Sequence, residues 1–223
     1  MPVKEVAHMK LYSGPLSLFT GKVRVALDEK GLAHEIVSVP FSRTRGYQPK
    51  HPEVLATNPK GQVPVLVDGG LGLYDSTIIL EYLEDRYPSP PLYPKDVVAR
   101  ARCRQAEAAA DEILFPLVFE LISEVFSKPA GERDAQRIAR ARAGIAQHYD
   151  GLERRLDERP YLCGDFSVAD IGYFLTITFA ASLGAPLADA HPRLRAWYER
   201  VLARPSVAKE VAGLGAAMQA LAA

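Results

Sequence analysis

The sequence of 223 residues predicts a small α/β domain followed by an all-helical domain. Strand-like and helix-like segments alternate over the first ninety residues, and helical periodicity dominates the rest of the chain. Between them, four prolines fall within the nine residues from Pro88 to Asp96, which predicts a stiff connector. We therefore expect an α/β domain over residues 9–88, a proline-rich linker over 89–98 and an all-helical domain over 99–223.

The α/β domain is expected to run βαβ and then ββα. The stretch "MKLYS" predicts a strand, "SLFTGKVRVALDEKG" predicts a helix that stops at Gly31, and "AHEIVSVPF" predicts a second strand. Because a right-handed crossover joins these two strands, they should be parallel. The segments "VPVLVD" and "LGLY" flank a Gly-Gly pair and predict a hairpin. A helix then begins at Asp75 and Ser76 and is closed by Pro88.

At least four helices are expected in the second domain. A long one covers "ARCRQAEAAADEILFPLVFELISEVF" and should bend near Pro116. The others cover "ERDAQRIARARAGIAQHYDGLERRLDE", "SVADIGYFLTITFAASLG" and "PRLRAWYERVLARP". Ser167 and Asp170 have the Ser-x-x-Asp spacing of a capping-box variant, so Asp170 is assigned to stability rather than catalysis.

Composition argues against several classes of protein. Lys+Arg and Asp+Glu balance at 27 each, so no charge surplus points to nucleic acid or to disorder. The longest charge-free run, residues 171–188, contains polar residues, Gly184 and Pro186, which favours a buried helix and turn over a membrane span. Cys103 and Cys163 have neither disulfide-framework nor metal-ligand spacing. With no secretory signal visible, we expect a cytoplasmic protein that binds no metal, nucleic acid or membrane.

Ser17 stands where the first strand gives way to the first helix. A serine there is typical of an N-cap, whose side-chain oxygen accepts a hydrogen bond from an unpaired helix N–H. The same helix end also favours an anion, because its N–H groups and the helix dipole are positive there. A thiolate is such an anion, and a thiol with a pKa near ~8.5 is ionised only slightly at neutral pH. Ser17 could therefore be a cap, or a hydroxyl that donates to a thiolate.

Two further segments could bind an extended ligand. Pro64 begins a strand and is a candidate for a cis peptide bond that would turn the Val63 backbone outward; an ordinary trans proline is the alternative. Asp75 and Ser76 suit the N-cap and first position of a helix. They could instead hold a group that carries both charges, with Asp75 on an ammonium and Ser76 on a carboxylate. The α-amino-acid end of a γ-glutamyl peptide is such a group.

These signals occur in the order and spacing of one family. The carrying segments are "LYSGPLSLFTGKVRVALDEKG", "HPEVLATNPKGQVPVL", "LYDSTIILEYLEDRYP", "YLCGDFSVADIGYF" and "HPRLRAWYERVLARPSV". Along nearly its whole length the chain resembles the cytosolic glutathione S-transferases, and in particular bacterial members of the serine type. The resemblance implies a thioredoxin-like N-terminal domain followed by a helical domain, which agrees with the division above.

The resemblance also implies a role for each candidate residue. Ser17 resembles the activating hydroxyl of the serine-type classes. Leu18 and Gly21 depart from the pattern of many bacterial members, so Ser13 and Tyr12 are alternatives for that role. The glutathione-binding residues that the resemblance implies are Lys50, Gln62, Val63, Pro64, Asp75 and Ser76.

The resemblance implies an enzyme that uses glutathione as its co-substrate. No cysteine lies at the first strand–helix turn, which argues against the cysteine-type classes. The expected reaction is ionisation of glutathione and attack of its thiolate on a hydrophobic electrophile, as in detoxification, by a homodimeric protein. Phe115, Val118 and Phe119 could line the electrophile pocket over the first domain, although core packing is the alternative for each. A non-catalytic binding or regulatory protein of the same fold is the alternative function.

Overall fold

The computed structural model describes residues 9–221, which form two compact units. The first unit contains residues 9–90 together with residues 209–221, and the second contains residues 91–208. The separation after Pro90 lies inside the linker that the sequence predicts at 89–98. Residues 209–221 group with the first unit, whereas the sequence analysis placed them in the helical domain.

Strands in the described part of the chain belong to the first unit. They are β1 (Met9–Ser13), β2 (His34–Ser38), β3 (Phe41–Ser42), β4 (Gly46–Tyr47), β5 (Val65–Asp68) and β6 (Leu71–Tyr74). Four of them form a sheet in the order β2–β1–β5–β6, and β3 pairs with β4 in a small separate hairpin. As predicted, β1 and β2 are parallel; β5 runs antiparallel to both β1 and β6.

Three helices of the first unit are α1 (Leu18–Glu29), α2 (Pro52–Thr57) and α3 (Ser76–Arg86). The sequence predicted α1 and α3, because their apolar residues recur at helical spacing. The side chains that these two helices bury most completely include Val23, Ala26, Leu27, Ile79, Leu80 and Leu83. Neither α2 nor the β3–β4 hairpin was predicted, because segments this short show no clear hydrophobic period.

A buried ion pair joins the end of α1 to α3. Lys30 Nζ donates to Glu84 Oε2 at 2.7 Å and to the carbonyl oxygens of Tyr87 at 2.8 Å and Pro90 at 2.9 Å. Both charged side chains are almost fully buried. Removing either partner would leave an unpaired charge in the interior, so this network stabilises the chain where it leaves α3.

The second unit contains α4 (Val97–Ala109), α5 (Phe115–Leu121), α6 (Ala135–Leu156), α7 (Val168–Ser182) and α8 (Pro192–Leu202). Every residue of α7 from Val168 to Ile177 is buried. A helix that is apolar on all sides must be surrounded by other elements, so α7 is the central helix of this unit. This confirms the prediction that most of the charge-free run is a buried helix. Within residues 9–221, we find no helix with the length and apolar character needed to span a bilayer.

The long helix predicted around Pro116 is interrupted. Residues Ala110–Leu114 and Ile122–Phe126 each form one π-helical turn, and α5 lies between them. Pro116 occupies the first turn of α5, where a missing backbone N–H is tolerated. The sequence therefore located the irregularity, but its form is a pair of π turns.

Asp170 has the structural role that the sequence predicted. Its Oδ2 accepts hydrogen bonds from the Ser167 N–H and Oγ, both at 2.9 Å. Its Oδ1 accepts from the Leu162 N–H at 2.9 Å and from Trp197 Nε1 at 2.8 Å. Burial raises the pKa of Asp170, and the four donated hydrogen bonds oppose that rise. The carboxylate thus connects the start of α7 to the preceding turn and to α8.

The last helix, α9 (Pro205–Ala220), was not predicted. Only Ser206 and Val207 of this helix are buried, so its sequence carries a weak apolar stripe. Its later residues pack in the first unit through side-chain ion pairs. Lys209 Nζ, for example, lies 2.8 Å from Asp28 Oδ2 of α1.

Candidate active site

The register of the sheet brings three predicted segments to one edge. Tyr12 of β1 pairs with Val65 of β5, which pairs with Tyr74 of β6. Because β5 is antiparallel to both neighbours, the chain leaves β1 and β6, and enters β5, at the same edge. Adjacent strands are about 4.8 Å apart, so the three segments start within roughly 10 Å of one another. They are residues 13–17, 62–64 and 75–76.

Ser17 is the N-cap of α1. Its backbone is extended, and its Oγ accepts a hydrogen bond from the Thr20 N–H at 3.1 Å. The side chain is half-buried. A cap uses a lone pair of the hydroxyl oxygen, so the hydroxyl proton can still donate to another group. The cap prediction is therefore confirmed, and it is compatible with a second role as a donor.

The two alternative hydroxyl residues have different surroundings. Ser13 is 4% exposed, and its Oγ accepts a hydrogen bond from Arg24 Nη1. Tyr12 is 7% exposed, and its ring centroid lies 4.7 Å from that of His51. Ser17 is more exposed than either residue. The Tyr12 ring also belongs to a cluster of buried residues with Val39, Val54 and Val65.

Arg24 connects the β1–α1 turn to α9. Besides Ser13, its Nη1 contacts the Gly14 carbonyl oxygen at 3.3 Å. Its Nε and Nη2 donate to the two carboxylate oxygens of Glu210, at 2.7 Å and 2.6 Å. The sequence analysis missed this residue, because an arginine on an amphipathic helix is usually solvated and carries no separate signal.

Tyr47 packs against the same turn and was also missed. A Cβ on Gly14 would lie 2.3 Å from Tyr47 Cε1, so the ring touches the glycine backbone. Burial raises the pKa of Tyr47 to about 12, although a hydrogen bond from the Leu16 backbone opposes the rise. The phenol is therefore protonated at neutral pH. Tyr47 belongs to the two-residue strand β4, which left no pattern in the sequence.

The segment before β5 carries the cis peptide bond that was a candidate from the sequence. The Val63–Pro64 bond is cis, and the Gln62 carbonyl oxygen accepts a hydrogen bond from Asn58 Nδ2 at 2.7 Å. Val63 is half-buried and Gln62 is exposed.

Lys50 lies beside this segment. A Cβ on Gly61 would be 2.7 Å from Lys50 Nζ, so the ammonium group rests against the residue that precedes Gln62. Gly61 has a φ of +57°, a conformation that favours glycine. The structure therefore places the Lys50 ammonium group against Gly61, the residue before Gln62.

Asp75 and Ser76 begin α3, as predicted. Asp75 Oδ1 accepts a hydrogen bond from the Thr77 N–H at 3.1 Å, so Asp75 is the N-cap. The Asp75 side chain is exposed, whereas Ser76 is 4% exposed. Asp75 also has a φ of +73°, which non-glycine residues seldom adopt.

The sequence matches one family in both parts of the chain. The family description "Glutathione S-transferase, N-terminal domain" matches residues 11–91, and "Glutathione S-transferase, C-terminal domain" matches residues 135–200. Glutathione S-transferase 3 of Zea mays is 35% identical over 217 residues, which cover 94% of this chain and 96% of that protein. The chain belongs to the glutathione S-transferase family.

Solved structures of the family have the same architecture. A glutathione S-transferase from Rhodospirillum rubrum F11 is 33% identical, with a TM-score of 0.79 and 91% of each chain covered. A theta class glutathione S-transferase from Xanthomonas axonopodis pv. citri, solved with glutathione bound, is 28% identical. Its TM-score is 0.79, and the match covers 92% of this chain and 98% of that one. The predicted fold class, a thioredoxin-like N-terminal domain plus a helical C-terminal domain, is thereby confirmed.

The three candidate pocket residues of this glutathione S-transferase family member lie in the second unit. Phe119 is 56% exposed and Phe115 is half-buried; their ring centroids are 6.1 Å apart. Val118 is fully buried. The two phenylalanines thus present apolar surface, whereas Val118 packs in the interior of its unit.

Proposed function

We propose that this protein is a serine-type, bacterial-like glutathione transferase that ionises glutathione and directs the thiolate at a hydrophobic electrophile. One observation carries the proposal. The register of β1, β5 and β6 brings the Ser17 turn, the segment at Val63 and Pro64, and the start of α3 to one edge of the sheet. The relative from Xanthomonas, which was solved with glutathione bound, supports glutathione as the ligand.

Ser17 is the proposed activating residue. Its hydroxyl proton would donate to the glutathione sulfur, while its oxygen continues to cap α1. Lowering a thiol pKa by about 2 units requires roughly 2.7 kcal/mol of preference for the thiolate. A hydrogen bond to a charged group contributes about 1.5–3 kcal/mol, and a helix N-terminus adds about 0.3–1 kcal/mol. Together, the hydrogen bond and the helix N-terminus can therefore supply the free energy needed to lower the thiol pKa by that amount.

The remaining candidate residues would hold the peptide. The Val63 backbone would pair with the cysteinyl residue of glutathione. Asp75, which is exposed, would bind the γ-glutamyl ammonium, and Ser76 would bind the neighbouring carboxylate. Lys50 would bind the glycine carboxylate, and Gln62 beside it would help to hold the peptide. Each pairing joins a charged or polar ligand group to a group of the complementary kind.

The electrophile is proposed to contact Phe115 and Phe119, whose rings are at least partly exposed, with Val118 supporting them from the interior.

The proposal includes a homodimer, a role in detoxification and a cytoplasmic location. Two cysteines without a disulfide between them suit a reducing compartment. Size-exclusion chromatography with light scattering tests the dimer.

Calorimetry with glutathione, followed by thiolate absorbance as a function of pH, tests the activity. We expect Ser17→Ala to retain glutathione binding, to restore the ordinary thiol pKa and to lower turnover by about 100-fold. Ser13→Ala and Tyr12→Phe are the matched controls. Unchanged turnover in Ser17→Ala would transfer the role to one of these two residues. Absence of binding would overturn the transferase, and binding without a lowered thiol pKa would indicate the non-catalytic alternative.

A second pair of variants separates the cap from the chemistry. Ser17→Asp keeps a good N-cap acceptor but has no proton to donate, and its charge repels a thiolate. It should therefore preserve stability and abolish thiolate formation. Ser17→Thr keeps both the acceptor and the proton, so it should retain most of the activity.

A further inference from the structure

The C-terminal helix α9 is linked to α1 by one largely buried ion pair. Arg24 of α1 donates from Nε and Nη2 to the two carboxylate oxygens of Glu210, at 2.7 Å and 2.6 Å. A guanidinium and a carboxylate joined by two parallel hydrogen bonds have a fixed mutual orientation. Water competes little for either group, because both side chains are largely buried. Glu210 therefore sets the orientation of the Arg24 guanidinium.

The remaining nitrogen of this guanidinium lies on the β1–α1 turn. Arg24 Nη1 donates to Ser13 Oγ and contacts the Gly14 carbonyl oxygen at 3.3 Å. The same carbonyl oxygen accepts a hydrogen bond from the Ser17 N–H at 3.2 Å. A single carbonyl group thus connects the guanidinium to the backbone of Ser17. The contacts form a continuous path from α9 to the residue that is proposed to activate glutathione.

This part of α9 is not held by apolar packing. The buried residues of α9 are Ser206 and Val207, and none of residues 209–220 is buried. Two ion pairs join residues 209–220 to α1, and the one made by Glu210 is less exposed than the one made by Lys209. An ion pair removed from water contributes little net stability relative to an apolar pair, because desolvation offsets its attraction. What the Glu210 pair supplies is a fixed direction for its partner.

We propose that Glu210 is a positioning residue for the transferase reaction, acting through Arg24 and the Gly14 carbonyl to aim the Ser17 hydroxyl at the glutathione sulfur. The inference rests on the proposed function of Ser17. A hydrogen bond weakens steeply as its donor angle departs from linearity, so the alignment of this hydroxyl decides how strongly it stabilises a thiolate. Without Glu210 the guanidinium is free to turn, and the carbonyl that accepts from the Ser17 N–H loses its second donor.

The effect of this alignment is confined to the thiol. The residues proposed to hold the peptide, at 62–64 and 75–76, lie on other segments, and Arg24 makes no hydrogen bond to them within residues 9–221. Loss of Glu210 should therefore raise the pKa of the bound glutathione thiol and lower turnover, while glutathione affinity changes little. A residue that merely stabilises the fold would not produce this combination.

Glu210→Gln tests the proposal, with binding measured by calorimetry and ionisation by thiolate absorbance as a function of pH. We expect the pKa of the bound thiol to rise by about 1, so that about tenfold less thiolate is present at neutral pH and kcat/KM falls about tenfold. The Kd for glutathione should stay within about threefold of the parent value. Turnover should recover toward the parent value as pH rises through the new thiol pKa. Lower stability with an unchanged thiol pKa would overturn the proposal.

Arg24→Lys separates charge from orientation. A lysine keeps the positive charge but lacks the planar fork that contacts the carboxylate and the turn at once. We expect this variant to raise the thiol pKa as Glu210→Gln does. A thiol pKa equal to that of the parent would show that a positive charge at this position is sufficient, which contradicts a positioning role.

Reversal of the pair separates stability from positioning. In the double variant Arg24→Glu with Glu210→Arg, opposite charges again join α1 to α9, but a carboxylate cannot donate to the Gly14 carbonyl oxygen. Its melting temperature should exceed that of Arg24→Glu alone, whereas the thiol pKa should stay raised. Recovery of both quantities would overturn the proposal, because the pair would then act through stability.

The parent chain and Lys209→Gln complete the experiment. Lys209 lies next to Glu210 and pairs with Asp28, so its substitution should leave the thiol pKa unchanged. A parent protein that binds glutathione without lowering its thiol pKa would overturn the proposed function and this inference with it. A lowered thiol pKa that neither Glu210→Gln nor Arg24→Lys changes would overturn this inference alone.

Discussion

Arg24 and Glu210 form a bidentate ion pair between α1 and α9, with N···O distances of 2.7 Å and 2.6 Å. Their side chains are only 19% and 10% exposed. The same guanidinium reaches the Ser13 hydroxyl and the Gly14 carbonyl oxygen. Glu210 therefore orients the side chain that supports the turn leading to Ser17.

Glu210→Gln should lower the free energy of unfolding by about 1–3 kcal/mol, because a largely buried guanidinium loses its charged partner. Arg24 would then hold the turn at Ser13 and Gly14 less firmly. The substitution should therefore also raise the pKa of the bound glutathione thiol. Urea denaturation and thiolate absorbance measure these effects. Lys209→Gln is the matched control: Lys209 is 72% exposed and pairs with Asp28, so its loss should change stability by less than about 0.5 kcal/mol. Equal losses in both variants would contradict a special role for the Arg24 pair.

Gly14→Ala should disturb the β1–α1 turn. The added methyl group would lie 2.3 Å from Tyr47 Cε1 and 2.7 Å from its Cζ, well inside van der Waals contact. We expect a loss of about 1–3 kcal/mol from overpacking, measured by chemical denaturation. A double-mutant cycle with Tyr47→Ala provides the control, since removing the ring should make Gly14→Ala nearly neutral. An equal cost in the presence and absence of the ring would show that another contact is responsible.

Asp170→Asn should destabilise the second unit without touching the candidate active site. An amide keeps one acceptor oxygen, but its NH₂ group would face donors that now bind the carboxylate. The expected loss is about 2–4 kcal/mol in the free energy of unfolding. Asp165→Asn is the matched control, because Asp165 lies nearby with an exposed side chain. A loss below about 0.5 kcal/mol in Asp170→Asn would contradict the capping role.

Glu124 should make stability depend on acid pH. Its buried carboxylate accepts a hydrogen bond from the Asp134 N–H at 3.0 Å and pairs with Lys128 at 2.8 Å and Arg137 at 3.0 Å. The Asp134 hydrogen bond is the largest cause that lowers the pKa of Glu124, followed by Lys128. Below the ordinary pKa of 4.5, the unfolded chain binds a proton that the folded protein does not. Stability from Glu124 is therefore present above that pH and is lost as pH falls through the lower folded value.

Melting temperatures from about pH 3 to about pH 7 measure this dependence. The difference between the parent chain and Glu124→Gln should shrink as pH falls below the ordinary carboxyl range. Glu120→Gln serves as the control, because the Glu120 carboxylate is 42% exposed and pairs with the same Arg137. A difference for Glu124→Gln that stays constant with pH would rule out this origin.

The elements of the candidate site could be predicted because their signals are local. Ser17 and Asp75 cap helices through hydrogen bonds to residues two or three positions away, so each cap can be recognised from a short stretch. The hairpin of β5 and β6 follows from its Gly-Gly turn. Elements without such signals, namely α2, the β3–β4 hairpin and α9, were not predicted.

By itself, then, the sequence determined the order of the main strands and helices, the caps at Ser17 and Asp75, the capping box of Ser167 and Asp170, and the family to which the chain belongs. Only the tertiary structure decided which distant groups meet. It placed Glu210 on Arg24 and Tyr47 on Gly14. The physical reason is that periodicity and capping arise from neighbours along the chain. These contacts depend instead on strand register and helix packing between segments with no shared local pattern.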